Sequence, residues 1–96
     1  MGDVHIDLEG RIVTKRGVEV KLTKIEFDLL AALARHAGKV VTHRQLLKEV
    51  WGPQQTQQTH YLRVFMANLR RKLEPDHARP RFLLTEQGVG YRLACD

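Results

Sequence analysis

One face of the stretch 58–74 carries side chains whose chemistry suits a polyanionic partner. They recur at helical steps of three and four residues, or lie directly beside such a position, and are His60, Arg63, Val64, Ala67, Asn68 and Arg71. A guanidinium or a carboxamide can form paired hydrogen bonds with a phosphate or a base edge, and an imidazole can donate one. Four basic residues and no acidic residue lie between Gln54 and Leu73. The pattern predicts contact with nucleic acid, and a solvated face with incidental arginines is the alternative.

The opposite face of the same stretch is apolar. Its members, again at steps of four, three and four residues, are Leu62, Met66, Leu69 and Leu73. Such a stripe is typical of a helix face that packs on a core. The two faces together predict an amphipathic helix over 58–74 that ends before Pro75, because proline cannot continue the helical hydrogen-bond ladder.

The residues before this helix are predicted to form a small sheet and two further helices. Alternating apolar residues and glycine turns indicate three antiparallel strands at 4–8, 11–15 and 18–22. The two helices then lead into 58–74, so the order along the chain is sheet, then helices.

Sequence signals mark where the first two helices begin and end. Capping boxes, in which two residues three positions apart exchange hydrogen bonds with backbone amides, are predicted at Thr23 with Glu26 and at Thr42 with Gln45. Gly38 is the predicted C-terminal cap of the first helix. A Gly-Pro dipeptide ends the second.

The tail is predicted to be a β-hairpin. Segments 81–85 and 91–94 flank the sequence EQGVG, whose glycines suit a turn that needs positive φ. Three helices followed by a hairpin are typical of a winged helix-turn-helix, in which the third helix lies in the DNA major groove. The predicted class is α+β: an N-terminal antiparallel sheet, three helices and a hairpin over 81–94 called the wing. An ordinary closing hairpin is the alternative.

Further candidate contacts flank the third helix. Thr42 and His43, with Arg44, begin the second helix, where free amides and the helix dipole favour an anion, and simple capping by Thr42 is the alternative. Trp51 either packs in the core or donates its indole N–H to a phosphate, and the two roles are compatible. The hairpin residues that could touch the DNA backbone or minor groove are Thr85, Gln87 and Arg92.

The composition favours a small basic domain that is not an enzyme. Sixteen Lys and Arg against eleven Asp and Glu give a net charge of +5, which suits a polyanion. The chain has no serine, one cysteine and five histidines without HxxxH or HExxH spacing, so no catalytic, metal or cofactor site is predicted. A single cysteine fits a reducing cytoplasm. No membrane-spanning run and no signal peptide are predicted.

Four motifs in this order resemble the OmpR/PhoB family, the C-terminal DNA-binding effector domains of two-component response regulators. They are LT…EF.LL at 21–30, R.QLL..VWG at 44–52, LR.KLE at 69–74 and G.GYR at 88–92. The similarity extends from about Val4 to Leu93. The run THYLRVFMANLRRKLE, with WGP before it and ARPR after it, is most similar to a potassium-responsive member.

The resemblance implies a transcription regulator that binds direct DNA repeats as a head-to-tail dimer, with a potassium-uptake operon as its target. In the family, phosphorylation of a separate receiver domain drives dimerisation. Residues 1–96 leave no room for a receiver, so an isolated output domain, monomeric without DNA, is expected. The family also implies a four-stranded N-terminal sheet. The fourth strand lies either within 18–22 or near 39–41, where it could pair with the wing.

The family's DNA contacts carry over unevenly onto this sequence. The recognition-helix positions fall on His60, Arg63, Val64, Phe65, Ala67, Asn68 and Arg70. The positions that touch the DNA backbone fall on Thr42, His43, Trp51 and Arg71. Phe65 is either a contact or a core residue, and Arg70 is either a contact or the partner of a carboxylate. Several relatives carry arginines where this chain has Ala67 and Asn68, so different base preferences are expected. Relatives also place an arginine at the wing tip where this chain has Gln87, so weaker anchoring in the minor groove is expected.

The loop 52–58 introduces a second class of function. In the family this loop can contact RNA polymerase, and a solvated linker is the simpler interpretation of its polar, uncharged sequence. The alternative function for the chain is a protein-interaction module that uses the basic helix face and this loop.

Overall fold

The computed structural model describes residues 1–54 and 58–94. In chain order the elements are β1 Val4–Asp7, β2 Ile12–Lys15, β3 Val18–Glu19, α1 Lys24–Arg35, β4 Val40–Thr42, α2 His43–Trp51, α3 Thr59–Leu73, β5 Leu83–Glu86 and β6 Gly90–Leu93. The predicted α+β class and the order of sheet, helices and hairpin are confirmed. One short strand, β4, is added between the first two helices.

The N-terminal sheet is antiparallel and has the order β1-β2-β3. Its third strand is shorter than the predicted segment 18–22, because β3 ends at Glu19. The Val20 amide still donates to the Val13 carbonyl at 2.8 Å, but the chain then turns away so that Thr23 can cap α1. The prediction over-extended this strand because the apolar alternation continues after the sheet has ended.

A second antiparallel sheet, of order β4-β6-β5, joins the wing to the helices. Of the two predicted places for a further strand, the one near 39–41 is confirmed, since β4 pairs with the wing. The four-stranded N-terminal sheet implied by the resemblance is wrong for the described residues, where that sheet has three strands. Thr42 lies opposite Gly90, and a Cβ on Gly90 would lie 1.9 Å from the Val41 carbonyl oxygen. This close crossing of β4 and β6 therefore requires glycine.

The predicted capping boxes differ in outcome. At α1 both bonds are present: the Glu26 amide donates to Thr23 Oγ1 at 3.2 Å, and the Thr23 amide donates to Glu26 Oε1 at 3.0 Å. At α2 only half of the box forms. The Gln45 amide donates to Thr42 Oγ1 at 3.1 Å, while the Gln45 side chain donates to Glu49. Thr42 is also the last residue of β4, whereas Thr23 belongs to no strand.

Two predicted boundaries near the wing are wrong by a few residues. Helix α1 is capped by His36, and Gly38, the predicted cap, lies beyond it with φ 84° and donates its amide to the Leu93 carbonyl at 2.8 Å. The wing strands were predicted at 81–85 and 91–94, whereas β5 begins at Leu83 and β6 spans Gly90–Leu93. The amides before β5 donate to the side chain of Glu74, the residue after α3, rather than to a strand.

The core lies between the three helices and the two sheets. Its fully covered large side chains are Leu29, Leu30, Leu33, Leu46, Leu47, Leu62, Met66, Leu69, Leu73, Leu83 and Val13. All four members of the predicted apolar stripe of α3 belong to this set. Burial of the stripe fixes which side of α3 faces the solvent.

Candidate nucleic-acid interface

Helix α3 presents the predicted cationic face to solvent. His60, Arg63 and Arg71 are exposed, and Val64 is 54% exposed. Asn68 and Ala67 are partly covered. No residue of α3 is acidic. This side of the helix therefore combines hydrogen-bond donors with small side chains and carries no like-charge repulsion toward a phosphate.

Arg71 and Asn68 are bonded to each other on this face. Arg71 Nη1 donates to Asn68 Oδ1 at 2.8 Å, and both side chains belong to the last three turns of α3. The Asn68 amino group can donate to other partners, and the Asn68 oxygen keeps a second lone pair that can accept one further hydrogen bond.

The start of α2 lies against the wing. The Thr42 hydroxyl accepts the Gln45 amide, so the capping alternative for Thr42 is present in the structure. The His43 amide donates to the Val89 carbonyl at 3.2 Å. The His43 ring meets the Tyr91 ring edge-on, with centroids 5.4 Å apart. These contacts join the N-terminus of α2 to the same surface as α3 and the wing.

Tyr91 lies buried beneath this surface and was not assigned a role from the sequence. It is 4% exposed, and its ring contacts His43 and lies 5.9 Å from the Arg70 guanidinium carbon. Burial raises the pKa of the Tyr91 phenol above its ordinary value, and the positive charges of Arg70 and Arg63 oppose part of this rise. The phenol therefore stays neutral and can donate a hydrogen bond at neutral pH. The G.GYR motif contained the available signal, but it was used only for the family resemblance.

Arg70 is directed toward the wing. Its Nε donates to the Leu83 carbonyl at 2.9 Å, and its Nη2 donates to Thr85 Oγ1 at 2.8 Å. The expectation that Arg70 pairs with a carboxylate is wrong, because its partners are a carbonyl and a hydroxyl. The same bond engages Thr85, one of the predicted wing contacts. The structure thus brings Arg70, Thr85 and Tyr91 together in the angle between α3 and the wing.

The outer part of the wing carries the other two predicted contacts. Gln87 is exposed in the turn between β5 and β6, next to Gly88 with φ 75°. Arg92 lies on the opposite side of β6 from Tyr91, since neighbouring strand residues point to opposite faces. Its Nε donates to Glu86 Oε2 at 3.0 Å in an ion pair. Arg92 is therefore separated from the face that Tyr91 shares with α3.

Trp51 and Phe65 form an aromatic cluster at the junction of α2 and α3. Their ring centroids are 5.6 Å apart, and Tyr61 lies 5.9 Å from Trp51. Trp51 and Phe65 are half-buried and pack against the core, which agrees with the core alternative for each. The loop 52–58 begins beside this cluster, and its residues 55–57 lie outside the described residues.

Two other classes of site are absent from the described ranges. Within 1–54 and 58–94, no group of three or more His, Cys, Asp or Glu side chains could hold a metal ion. None of the helices in these ranges has the length and apolar character needed to cross a membrane.

Comparison with protein families and curated proteins identifies relatives. The family described as "Transcriptional regulatory protein, C terminal" matches residues 10–93. The KDP operon transcriptional regulatory protein KdpE of Escherichia coli is 56% identical over 90 residues, which cover 94% of this chain and 40% of that protein. The DNA-binding response regulator MtrA of Mycolicibacterium smegmatis is 44% identical over 92 residues, covering 96% of this chain and 40% of that protein. The chain thus spans about 40% of the length of these curated relatives.

Solved structures share the fold. DrrB of Thermotoga maritima, an OmpR/PhoB homologue, has a TM-score of 0.89 and 36% identity, with 99% of this chain and 43% of that chain covered. The RstA DNA-binding domain of Klebsiella pneumoniae, solved in complex with the RstA box, has a TM-score of 0.85 and 33% identity over 97% of this chain and 92% of that chain. The predicted winged helix-turn-helix is thereby confirmed.

These matches agree with the four motifs quoted above and with the geometry of α3 and the wing. The relatives are DNA-binding regulators of transcription and not enzymes, as predicted for this chain. This chain belongs to the OmpR/PhoB family of response-regulator DNA-binding domains.

Proposed function

We propose that α3 enters the major groove of double-stranded DNA while the wing contacts the backbone or the minor groove of the same duplex. The observation that carries this proposal is the exposed face of α3, which is cationic, free of acidic residues and adjacent to the wing. A major groove about 12 Å wide admits an α-helix. The buried leucine and methionine stripe of α3 holds this face outward.

The side chains on this face divide into two roles. Arg71 and His60 bind phosphates, while Arg63 and Asn68 reach base edges and Val64 contacts a thymine methyl group. Asn68 can recognise adenine while it keeps the Arg71 bond, because its oxygen can accept the adenine amino group as a second donor. Ala67 permits close approach of the helix.

The remaining predicted contacts surround α3. At the start of α2, Thr42 and His43 donate to the DNA backbone, and the Trp51 indole N–H reaches a phosphate. On the wing, Gln87 offers an amide where relatives carry arginine, and Arg92 reaches the backbone by leaving Glu86.

The operator is proposed to consist of direct repeats bound by a head-to-tail dimer. In the family, phosphorylation of a receiver domain drives dimerisation, so residues 1–96 by themselves are expected to be monomeric without DNA. The relatives are more than twice as long as this chain, which leaves room in them for such a domain. The likeness to KdpE suggests a potassium-uptake operon as the target and the cytoplasm as the location. The loop 52–58 is the proposed contact for RNA polymerase.

An amide chemical-shift titration tests the groove assignment. One arm uses a direct-repeat duplex, selected by this domain from a random-sequence pool, with half-sites about one helical turn apart. The other arm uses a scrambled duplex of the same length and composition. Large shifts along 60–71 and 85–92 with the selected duplex alone are expected. Equal weak shifts with both duplexes would contradict the proposal and favour the protein-interaction module.

Two substitutions on α3 distinguish phosphate contacts from base contacts. Arg71→Ala should weaken all sequences similarly and lower the salt slope of binding by about one, because one phosphate contact is lost. Asn68→Ala should cost about 1–3 kcal/mol at a single base position. Arg35→Ala, on the exposed last turn of α1, removes the same charge as Arg71→Ala at a position outside the proposed interface. If the selected duplex bound both α3 variants as tightly as wild type, the assignment of α3 would be wrong.

A further inference from the structure

The residue that ends α3 is a buried carboxylate bound to the start of the wing. Glu74 is 3% exposed, and its side chain accepts three backbone amides. Oε1 accepts from Arg81 at 2.9 Å, and Oε2 accepts from Phe82 at 3.0 Å and from Leu83 at 2.7 Å. A buried amide without an acceptor is costly, so these bonds hold the backbone at 81–83 to the end of α3.

Arg70 binds the residues that follow. Its guanidinium forks between the Leu83 carbonyl and the Thr85 hydroxyl, at 2.9 and 2.8 Å. The same group lies 5.9 Å from the centre of the Tyr91 ring on the neighbouring strand. All three contacts are with the wing. Arg71, the next residue, is exposed on the cationic face instead.

The two side chains bind one continuous stretch of chain. Arg70 lies in the last turn of α3 and Glu74 is its C-terminal cap, so both side chains lie at the end of α3 beside β5. Glu74 accepts hydrogen bonds from the backbone amides at 81–83. Arg70 donates to the carbonyl of Leu83 and the hydroxyl of Thr85. The segment 81–85 is therefore bound by an acceptor and then by a donor. The pairing of β6 with β4 already ties the wing to the domain, and these bonds add a direct connection between β5 and α3.

We propose that Arg70 and Glu74 form a clamp that sets the angle of the wing relative to α3, and that Arg70 is a positioning residue for DNA binding rather than a DNA contact. The inference rests on the proposed function, because it concerns how two elements reach one duplex together. A wing held in place before binding needs no ordering on the DNA, and preorganisation of this kind raises affinity.

The first test compares Arg70→Ala with the charge-matched control Arg35→Ala on two probes. One probe is the duplex selected from the random pool. The other is the same duplex shortened from the wing side to the length at which wild-type affinity first falls. Arg70→Ala should weaken binding to the full duplex by about tenfold, because the fork of two charge-assisted bonds is lost. On the shortened duplex, the affinity of Arg70→Ala should fall relative to wild type by no more than the affinity of Arg35→Ala falls.

A double-mutant cycle tests whether Arg70 acts through the wing. Thr85→Val removes one acceptor of the fork while keeping the size of the side chain. If Arg70 works through Thr85, the double variant should bind the full duplex about as weakly as Arg70→Ala alone. Fully additive losses would show that the two residues act separately and would overturn the clamp. Glu74 is left intact in this test because its replacement endangers folding.

Residual dipolar couplings of the DNA-free domain test the clamp without reference to binding. In the wild-type domain, α3 and the segment 84–91 should fit one common alignment. In Arg70→Ala, the couplings of 84–91 should shrink relative to those of α3, whereas Arg35→Ala should leave them unchanged. Unchanged couplings in Arg70→Ala would overturn the proposal.

Two binding results would also overturn it. Equal losses on the full and shortened duplexes, with a salt slope lowered by about one, would make Arg70 a direct phosphate contact. A full-duplex affinity equal to that of Arg35→Ala would leave the clamp without a role in binding. If the wild-type domain does not distinguish the selected duplex from a scrambled one, the proposed function fails, and the couplings still decide whether the clamp exists.

Discussion

The two ends of α3 are held by different kinds of contact. At the C-terminal end, Arg70, Lys72 and Glu74 each form hydrogen bonds to other parts of the domain. At the N-terminal end, the cap residue Gln58 makes no side-chain hydrogen bond to the helix. There the first turn is held by burial of Leu62 and by aromatic contacts around Trp51.

This difference gives the two ends of α3 different roles: the C-terminal end fixes the orientation of the helix, and the N-terminal end can make small shifts. Hydrogen bonds are directional and fix the orientation of the groups they join, whereas apolar and aromatic contacts tolerate small shifts. The anchored end is the one beside the wing. The less constrained end carries His60 and Arg63, which we propose to meet the DNA. The comparison predicts that damage to the C-terminal end changes stability most, and that changes at the N-terminal end are small.

The largest effect is expected from Glu74→Ala. The change leaves three amides at 81–83 without their acceptor, and those of Phe82 and Leu83 are buried, so the free energy of unfolding should fall by about 4 kcal/mol. Urea denaturation followed by circular dichroism measures it. Asp76→Ala is the control, because Asp76 is an exposed carboxylate two residues away that accepts one amide. A loss for Glu74→Ala as small as that of the control would mean that this end is not anchored by the carboxylate.

A smaller loss is expected from Lys72→Met. Lys72 Nζ lies 2.6 Å from Glu26 Oε1 and 3.1 Å from the Lys21 carbonyl, and Glu26 is 3% exposed. Loss of this charge-assisted bond to a covered carboxylate should cost about 2 kcal/mol. Lys24→Met is the matched control, since the Lys24–Asp28 pair at 2.7 Å involves an ammonium that is largely exposed. Exposed pairs contribute at most about 0.5 kcal/mol within a helix. Equal losses in the two variants would mean that Lys72 does not help to anchor the C-terminal end of α3.

The same pair predicts a dependence of stability on pH. Burial disfavours the charged form of Glu26, but the Lys72 ammonium and the Thr23 backbone outweigh it, so the pKa of Glu26 lies below its ordinary value of 4.5. A lowered pKa adds stability above pH 4.5 that is lost as the pH falls through the folded-state value. The difference in unfolding free energy between wild type and Lys72→Met should therefore shrink below pH 4.5. Denaturation at a series of pH values measures it, and a constant difference would contradict the assignment.

The parts of the fold that local spacing determines could be predicted from the sequence. The stripe Leu62, Met66, Leu69 and Leu73 identified both the helix and its outward face, because a helical period relates residues that are close in the chain. The Thr23–Glu26 capping box was predicted for the same reason, and both of its bonds are present.

The parts that depend on distant partners could not be predicted. The start of β5 was placed too early because the amides of Arg81 and Phe82 belong to Glu74, seven and eight residues away. The side of α3 to which Arg70 belongs was ambiguous, since its partners Leu83 and Thr85 lie on another element. Helical spacing separates faces, but it does not say which neighbouring element will cover the border between them.

The smallest effect is expected at the other end of α3, from Gln58→Asn. Asparagine is among the best N-cap residues, and it could accept the amide of His60, since the Tyr61 amide already donates to the Gln58 carbonyl at 3.1 Å. The free energy of unfolding should therefore rise by about 0.5 kcal/mol. The gain is small because Gln58 has φ −94° and ψ 56°, whereas Thr23, which does cap a helix, has φ −69° and ψ 166°. Gln54→Asn, in the turn before the helix, is the matched control.

Two measurements decide what this substitution means. Urea denaturation gives the stability change, and the His60 amide shift shows whether the new cap bond forms. No change in either would mean that the backbone at Gln58 is already fixed, which would contradict the proposed contrast between the two ends. A more stable variant that binds the selected duplex more weakly, without any change of charge, would show that the freedom of this end contributes to recognition. The clamp at Arg70 and Glu74 would then orient a helix whose opposite end adapts to the groove.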